Sequence, residues 1–298
     1  MIGSSAAGPA APAAAEISVT QAAGRPAAPW RLLLSRPTFV VGAVILLFWI
    51  VCAVFGNQIA PHNPLAQSLL ATNAGPSGAH WFGTDQLGRD VFSRVITGAR
   101  DILIIAAGAT ALGTVLGTAL GLVMGYLGGI VDILVGRVVE AVIALPVVIV
   151  AFLFVVAIGH STGSLILVIG FVFTPLIART VRSAVLVESQ LDYLSSARLL
   201  GEKSVRIMVV EILPNVLPAV LVEATVRLGY AIFAVATLSF LGFGVQPPTP
   251  DWGADIYANY GVLPAGYWWE TLFPALAIAS LVVAVNLVTD AIEQVLAS

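Results

Sequence analysis

The stretch Ser189–Asn215, SQLDYLSSARLLGEKSVRIMVVEILPN, lies between two apolar runs, each long enough to span a bilayer. It carries Asp192, Arg198, Glu202, Lys203, Arg206 and Glu211, so it belongs outside the hydrocarbon. It is nevertheless patterned. Ser189 with Asp192 three residues on has the form of a helix N-cap signature. Counting from there, Tyr193, Leu194, Ala197 and Leu200 share one helical face, and Asp192, Ser195, Arg198 and Leu199 cover the rest. Gly201 stands where helices commonly end in a left-handed residue. Beyond it Val205, Met208, Val209 and Ile212 recur at i, i+3, i+4 and i+7, which predicts a second helix. Pro214 and Pro218 mark its passage into the next apolar run. A helix, a glycine hinge and a second helix with an apolar face outside the bilayer read as a docking element.

The rest of the chain is membrane material. It is 59% hydrophobic and only 10% charged, with a mean hydropathy of +0.99, against roughly 25% charged residues in ordinary soluble domains. Six runs have the roughly 20 residues a bilayer crossing requires: Thr38–Gly56, Asp101–Tyr126, Asp132–Ile158, Ser164–Val187, Val216–Phe243 and Leu272–Val295. The expected fold is therefore all-α and integral to the membrane. Residues 1–30 are Ala/Pro-rich without periodicity and read as a disordered cytoplasmic tail; residues 31–298 form the transmembrane domain, with outer loops at 57–100 and 244–271. With the N-terminus inside, nine Lys/Arg (Arg25, Arg31, Arg36, Arg137, Arg179, Arg182, Arg198, Lys203, Arg206) fall on inner segments. Three (Arg89, Arg94, Arg100) fall on outer ones. That asymmetry places both termini and the stretch 189–215 in the cytoplasm.

Within the second run Gly113, Gly117, Gly121, Gly125 and Gly129 recur every fourth residue, a smooth stripe along which another helix backbone can approach. Glu223 and Arg227, one turn apart in the fifth run, can neutralise each other, and as intramembrane charges they are candidates for a substrate path. His62, His80 and His160 are widely separated, no HExxH or Cys/His cluster occurs, and no metal site is expected. Gly201–Ser204 (GEKS) lacks the glycine spacing and the direct Gly-Lys-Ser/Thr succession of a phosphate-binding loop. No ATP hydrolysis is expected of this chain, and no basic block suggests nucleic acid. Residues 244–270 hold three acids, no Lys/Arg and six Trp/Tyr. They read either as an interfacial aromatic belt or as a surface near Trp252 and Asp255 that receives another protein or guards a pore mouth.

YLSSARLLGEKSVRIMVVEILPN resembles the cytoplasmic signature loop of ABC importer permeases, with Ala197, Gly201, Leu213 and Pro214 at matching places. Ser195 and Ser196 stand where that family carries Glu and Ala. FGTDQLGRDVFSRVITGARD (Phe82–Asp101), GYLGGIVDILVGRVVEAVIALP, ARTVR (Ala178–Arg182) and TLSFLGFGVQPPTPDWG (Thr237–Gly253) are similar to blocks of the dipeptide, oligopeptide and nickel permeases, as are Asn286 and Asp290. Glu140 and Val235 depart from that pattern. The resemblance covers about Pro37 to the C-terminus and is to the C-type of two paired permeases. It implies a type I ABC importer permease core, methionine-importer-like, of six transmembrane helices with a cytoplasmic coupling-helix loop, in a bacterial plasma membrane. It implies a heterodimer with a second, B-type permease, two ATP-binding subunits that carry ATP and Mg, and an extracytoplasmic binding protein; this chain would itself hold no cofactor. Tyr193, Leu194, Ala197 and Leu200 would support the coupling helix and Gly201 would set its angle. Ser195, Ser196 and Arg198, followed by Glu202 and Lys203, would lie at the ATPase. Peptides are the implied cargo, with nickel, haem or another small solute as alternatives. The rival from another class is a secondary transporter that works without ATP.

Overall fold

The computed structural model describes residues 33–296, so the tail expected at 1–30 lies outside the described residues. Among the described residues five helices are long and apolar enough to cross a membrane, or six if one bent pair counts as a single span. The first, α1, is Pro37–Ile59, entered through a proline whose missing N–H costs nothing in the first turn. The second, α2, is Val91–Leu127. Its 37 residues make a rod about 55 Å long at 1.5 Å per residue. It starts ten residues before the apolar run expected at Asp101, because Asp90 caps it by accepting the Ser93 N–H at 2.8 Å, and helical hydrogen bonding extends beyond that run.

The expected span Asp132–Ile158 is two helices, α3 (Gly129–Ile143) and α4 (Val147–Ile158), bent by 92°. Pro146 sits at the break; it lacks a donor and drives Leu145 away from helical geometry. The remaining longer helices are α5 (Thr162–Glu188), α6 (Asp192–Leu199), α7 (Ser204–Phe240), α8 (Trp252–Asn259) and α9 (Trp269–Leu296), with 3-10 turns at Leu69–Ala71 and Tyr260–Ala265. Among the described residues there is no strand, only an isolated bridge between Thr84 and Asp90.

The α2–α5 pair is the most extensive helix contact. A Cβ on Gly117 would lie 2.7 Å from the Ile177 Cβ and 2.9 Å from the Thr174 carbonyl oxygen. On Gly121 it would meet the Val181 Cβ at 2.7 Å and the Ala178 oxygen at 2.8 Å, and on Gly125 the Val185 Cβ at 2.7 Å. Gly113 faces the Gly170 carbonyl in the same way, at 2.9 Å. Backbone against backbone leaves no flexible atom to give way. Gly129, counted in the same stripe from the sequence, begins α3 with φ +54° and meets nothing within 4 Å. α1 packs on α2 and α9, where the Trp49 indole N–H donates to Ser280 Oγ at 3.0 Å.

Candidate functional site

At one end of the bundle the segment 189–215 forms helix, hinge and helix, but its supports differ from those expected. Ser189 does not cap α6: it closes α5, with its hydroxyl on the Leu186 carbonyl at 3.0 Å, and Leu191 occupies the N-cap without a side-chain bond. α6 is held instead by Leu194, fully buried in the core that also contains Ile207, Met208 and Ile212. Leu200, expected on the same face, is 82% exposed beside Leu199 at 88%, so the apolar pair at the end of α6 points outward. Ser195, Ser196 and Lys203 are exposed and Ala197 half-buried.

Gly201 has φ +75°, and the Gly201 N–H to Arg198 and Glu202 N–H to Ala197 bonds make a Schellman close. Arg206 pairs with Glu202 at 3.4 Å across the next turn. The second helix contains a π turn over Ile207–Ile212. Its i→i+5 spacing brings Ile207 and Ile212 to the buried face and leaves Val205 and Val209 exposed, which displaces the 3.6-residue register read from the sequence.

Two further contacts tie this element to the bundle. The Arg198 guanidinium lies over the Tyr126 ring, 5.0 Å from its centroid, at the last turn of α2. Asn215 Nδ2 donates to Glu188 Oε1 (2.9 Å), Tyr193 Oη (2.8 Å) and the Glu211 carbonyl (3.0 Å), while the Tyr193 hydroxyl also donates to Glu188. Partial burial and then the bond to Glu188 push the Tyr193 phenol above its usual range. Sequence reading missed Glu188. It is a polar residue at the end of an apolar run, and only the return of α7 brings Asn215 to it.

At the other end, residues 60–90, α8 and the start of α9 form a buried polar cluster. Arg94 donates from Nε to both Asp255 oxygens (3.0 and 3.1 Å), and from Nη1 to the Pro64 carbonyl (3.2 Å) and, longer, that of Pro248 (3.4 Å). Asp85 accepts the Arg89 guanidinium at 2.6 Å and the N–H groups of Leu87 and Arg89. Trp252 is 1% exposed; its indole donates to the Val95 carbonyl at 2.8 Å and its ring fills the space left by Gly98, whose Cβ would lie 2.9 Å away. Trp252 and Asp255, expected on a receiving surface or in an interfacial belt, are therefore core residues of this end. Within residues 244–270 the exposed aromatics are Tyr257, Tyr260 and Trp268.

Asp251 caps α8 through the Ala254 N–H (3.0 Å) and accepts the Ser239 hydroxyl (2.9 Å). Burial outweighs both bonds and pushes its carboxyl up to about 6. Glu270 is 1% exposed; neither carboxylate oxygen meets a donor at hydrogen-bonding geometry, and the Gln86 N–H is the backbone donor beside it. Glu223 and Arg227 pair with each other (2.6 Å), and Arg227 lies over Tyr230. Against the sequence expectation, His62 and His80 come together, ring centroids 4.8 Å apart, with the Nδ1 of each near Asp90 Oδ1.

Over residues 117–298 the chain matches the family described as binding-protein-dependent transport system inner membrane component, and residues 28–76 match the N-terminal transmembrane domain of oligopeptide transport permease C. It is 41% identical to the dipeptide transport system permease protein DppC of Escherichia coli (strain K12) over 273 residues, 90% of this chain and 91% of that protein. It is 38% identical to DppC of Bacillus subtilis (strain 168) over 269 residues, 90% and 83% of the two chains. The glutathione transport system permease protein GsiD of Escherichia coli O1:K1 / APEC is 37% identical over 273 residues, 90% and 88%. With its all-helical bundle of apolar spans, the chain belongs to the binding-protein-dependent transport-system inner-membrane components, as an ABC importer permease of the peptide type.

Proposed function

We propose that this chain forms half of the translocation path of an ATP-driven importer for di- or oligopeptides, with a second, B-type permease supplying the other half. An extracytoplasmic binding protein delivers the peptide, and of two ATP-binding subunits, which carry the ATP and Mg, one docks on α6 and the hinge from the cytoplasmic side, where both termini also lie. The observation that carries the reading is the state of α6. It is anchored inward by Leu194 and Arg198, yet its end presents Leu199 and the following Leu200 exposed, next to exposed Val205 in the first turn of α7. Such a face gains by docking, and a helix fixed to the bundle transmits the motion of what docks on it, whereas a loose loop absorbs it. The peptide cargo rests on the relatives' names; nickel, haem and other small solutes are the competing cargoes, and the ligand found by mass spectrometry in the co-purified binding protein decides among them.

Gly201→Val places a β-branched residue at a left-handed position, and Arg198→Glu abolishes the contact with Tyr126. In the complex reconstituted with its partners, each lowers transport and substrate-stimulated ATPase at least tenfold while the unstimulated ATPase persists. Wild-type rates for both would sink the coupling role, and transport by this chain alone would establish the ATP-independent reading instead.

A further inference from the structure

The His62, His80 and Asp90 side chains converge from three separate segments: the stretch after α1, the loop before α2, and the N-cap of α2 itself. Asp90 divides its carboxylate. Oδ2 accepts the Ser93 N–H at 2.8 Å and the Ser93 hydroxyl at 2.7 Å, which fixes the group against the start of α2. Oδ1 is turned the other way, 2.8 Å from His80 Nδ1 and 3.7 Å from His62 Nδ1. The His62 backbone N–H is held by Ser93 Oγ at 3.2 Å, so the same serine sets both Asp90 and His62. One potential ligand atom from each of the three residues lies within 4.8 Å of the others. Burial is graded: the Asp90 side chain is 2% exposed, that of His80 25% and that of His62 42%. The cluster is closed on the protein side and open on the other.

We propose that His62, His80 and Asp90 bind a borderline divalent transition-metal ion, of which Zn²⁺ is the type, through three protein ligands with the remaining position open to solvent. Two imidazoles and one carboxylate favour such ions over Ca²⁺ or Mg²⁺, which take oxygen ligands. Ligand bonds of about 2.0–2.2 Å put tetrahedral donor atoms roughly 3.3–3.5 Å apart, between the two Nδ1–Oδ1 separations, and all three donor atoms already lie within 4.8 Å of one another. Ser93 plays the orienting part that outer-shell donors play for metal carboxylates. An ion here would tie the segment after α1 to the start of α2, and its open position would take water or a donor from another protein. The site lies at the start of α2, the end of that helix away from the coupling element at Tyr126.

The test uses the assembled transporter without its binding protein, stripped with chelator and titrated with Zn²⁺ against a chromophoric competitor. The wild type is expected to bind one ion per copy of this chain more than His62→Asn does, and excess Ca²⁺ leaves that ion in place. His62→Cys, which restores a zinc ligand, recovers it. Because the His62 ring is substantially exposed, His62→Asn should match the metal-free melting temperature of the wild type, and the rise on adding Zn²⁺ should vanish. X-ray absorption of the wild-type zinc form should show two imidazoles in the coordination shell. Equal zinc stoichiometry in the wild type, His62→Asn and His80→Asn would overturn the assignment, as would a zinc spectrum without imidazole.

Discussion

Removing the Asp255 carboxylate should be the most damaging single change at the polar end of the bundle. In Asp255→Ala the Arg94 guanidinium, with a side chain 5% exposed, loses its partners at Nε and Nη2 and keeps only the Pro64 and Pro248 carbonyls at 3.2 and 3.4 Å. Leaving one charge of a buried pair unpaired costs about 3–5 kcal/mol. At roughly 2–4 °C per kcal/mol for a chain of this size, the melting temperature falls by on the order of 10 °C. Replacing both partners, Arg94→Met with Asp255→Leu, leaves no charge behind and should cost much less than the sum of the single changes, a coupling of about 3 kcal/mol across the cycle.

Glu270 lines the same small cavity as Arg94 and Asp255, and its oxygens are uncommitted. It can partly replace the lost partner, so Asp255→Ala combined with Glu270→Gln should be worse than Asp255→Ala alone. The assay is intrinsic tryptophan fluorescence during thermal and SDS unfolding of the assembled complex in nanodiscs, to which Trp252 and Trp269 at this end contribute. A loss below about 1 kcal/mol for Asp255→Ala, or strict additivity in the cycle, would refute the ion pair as the tie between α2 and α8.

Two further outcomes can be measured on the same preparation. Gly121→Ala drives a methyl into the Val181 Cβ and the Ala178 carbonyl, and overpacking of this kind costs about 1–3 kcal/mol; Gly136→Ala, with only the mobile end of Met124 at 3.7 Å, is the control that does not lower the melting temperature and gains up to about 1 kcal/mol of helix propensity. Asp251 titrates near 6 in the folded state against 3.8 normally, so the native state binds the extra proton between those values. Asp251 therefore contributes stability that grows as pH falls from about 7 to 4, by up to roughly 3 kcal/mol, and Asp251→Asn, still able to cap α8, should remove that contribution.

The apolar runs were legible in the sequence because hydropathy is a local property and a bilayer rewards it residue by residue. The glycines of α2 were legible because a four-residue spacing fixes a helical face whatever packs on it, and Gly201 because few other residues accept φ +75°. What escaped depends on partners distant in the chain. Nothing near Trp252 announces that Gly98 leaves room for its ring, and nothing near His62 announces Asp90. The π turn at Ile207–Ile212 defeats a reading that assumes 3.6 residues per turn. The bend at Pro146 went unread because the flanking runs together have the length of one crossing, and length outweighed the breaker.

One consequence follows from the length of α2. Its first turns carry Asp90, Arg94 and Gly98, its middle the glycines seated on α5, and its last turn Tyr126 under Arg198. No proline interrupts it. A jointless rod gives the two ends a common clock: a displacement registered at Tyr126 arrives at Arg94 without waiting for a loop to relax. Probes placed at the two ends should therefore report the same relaxation rate, and the opening of one end should never be observed ahead of movement at the other.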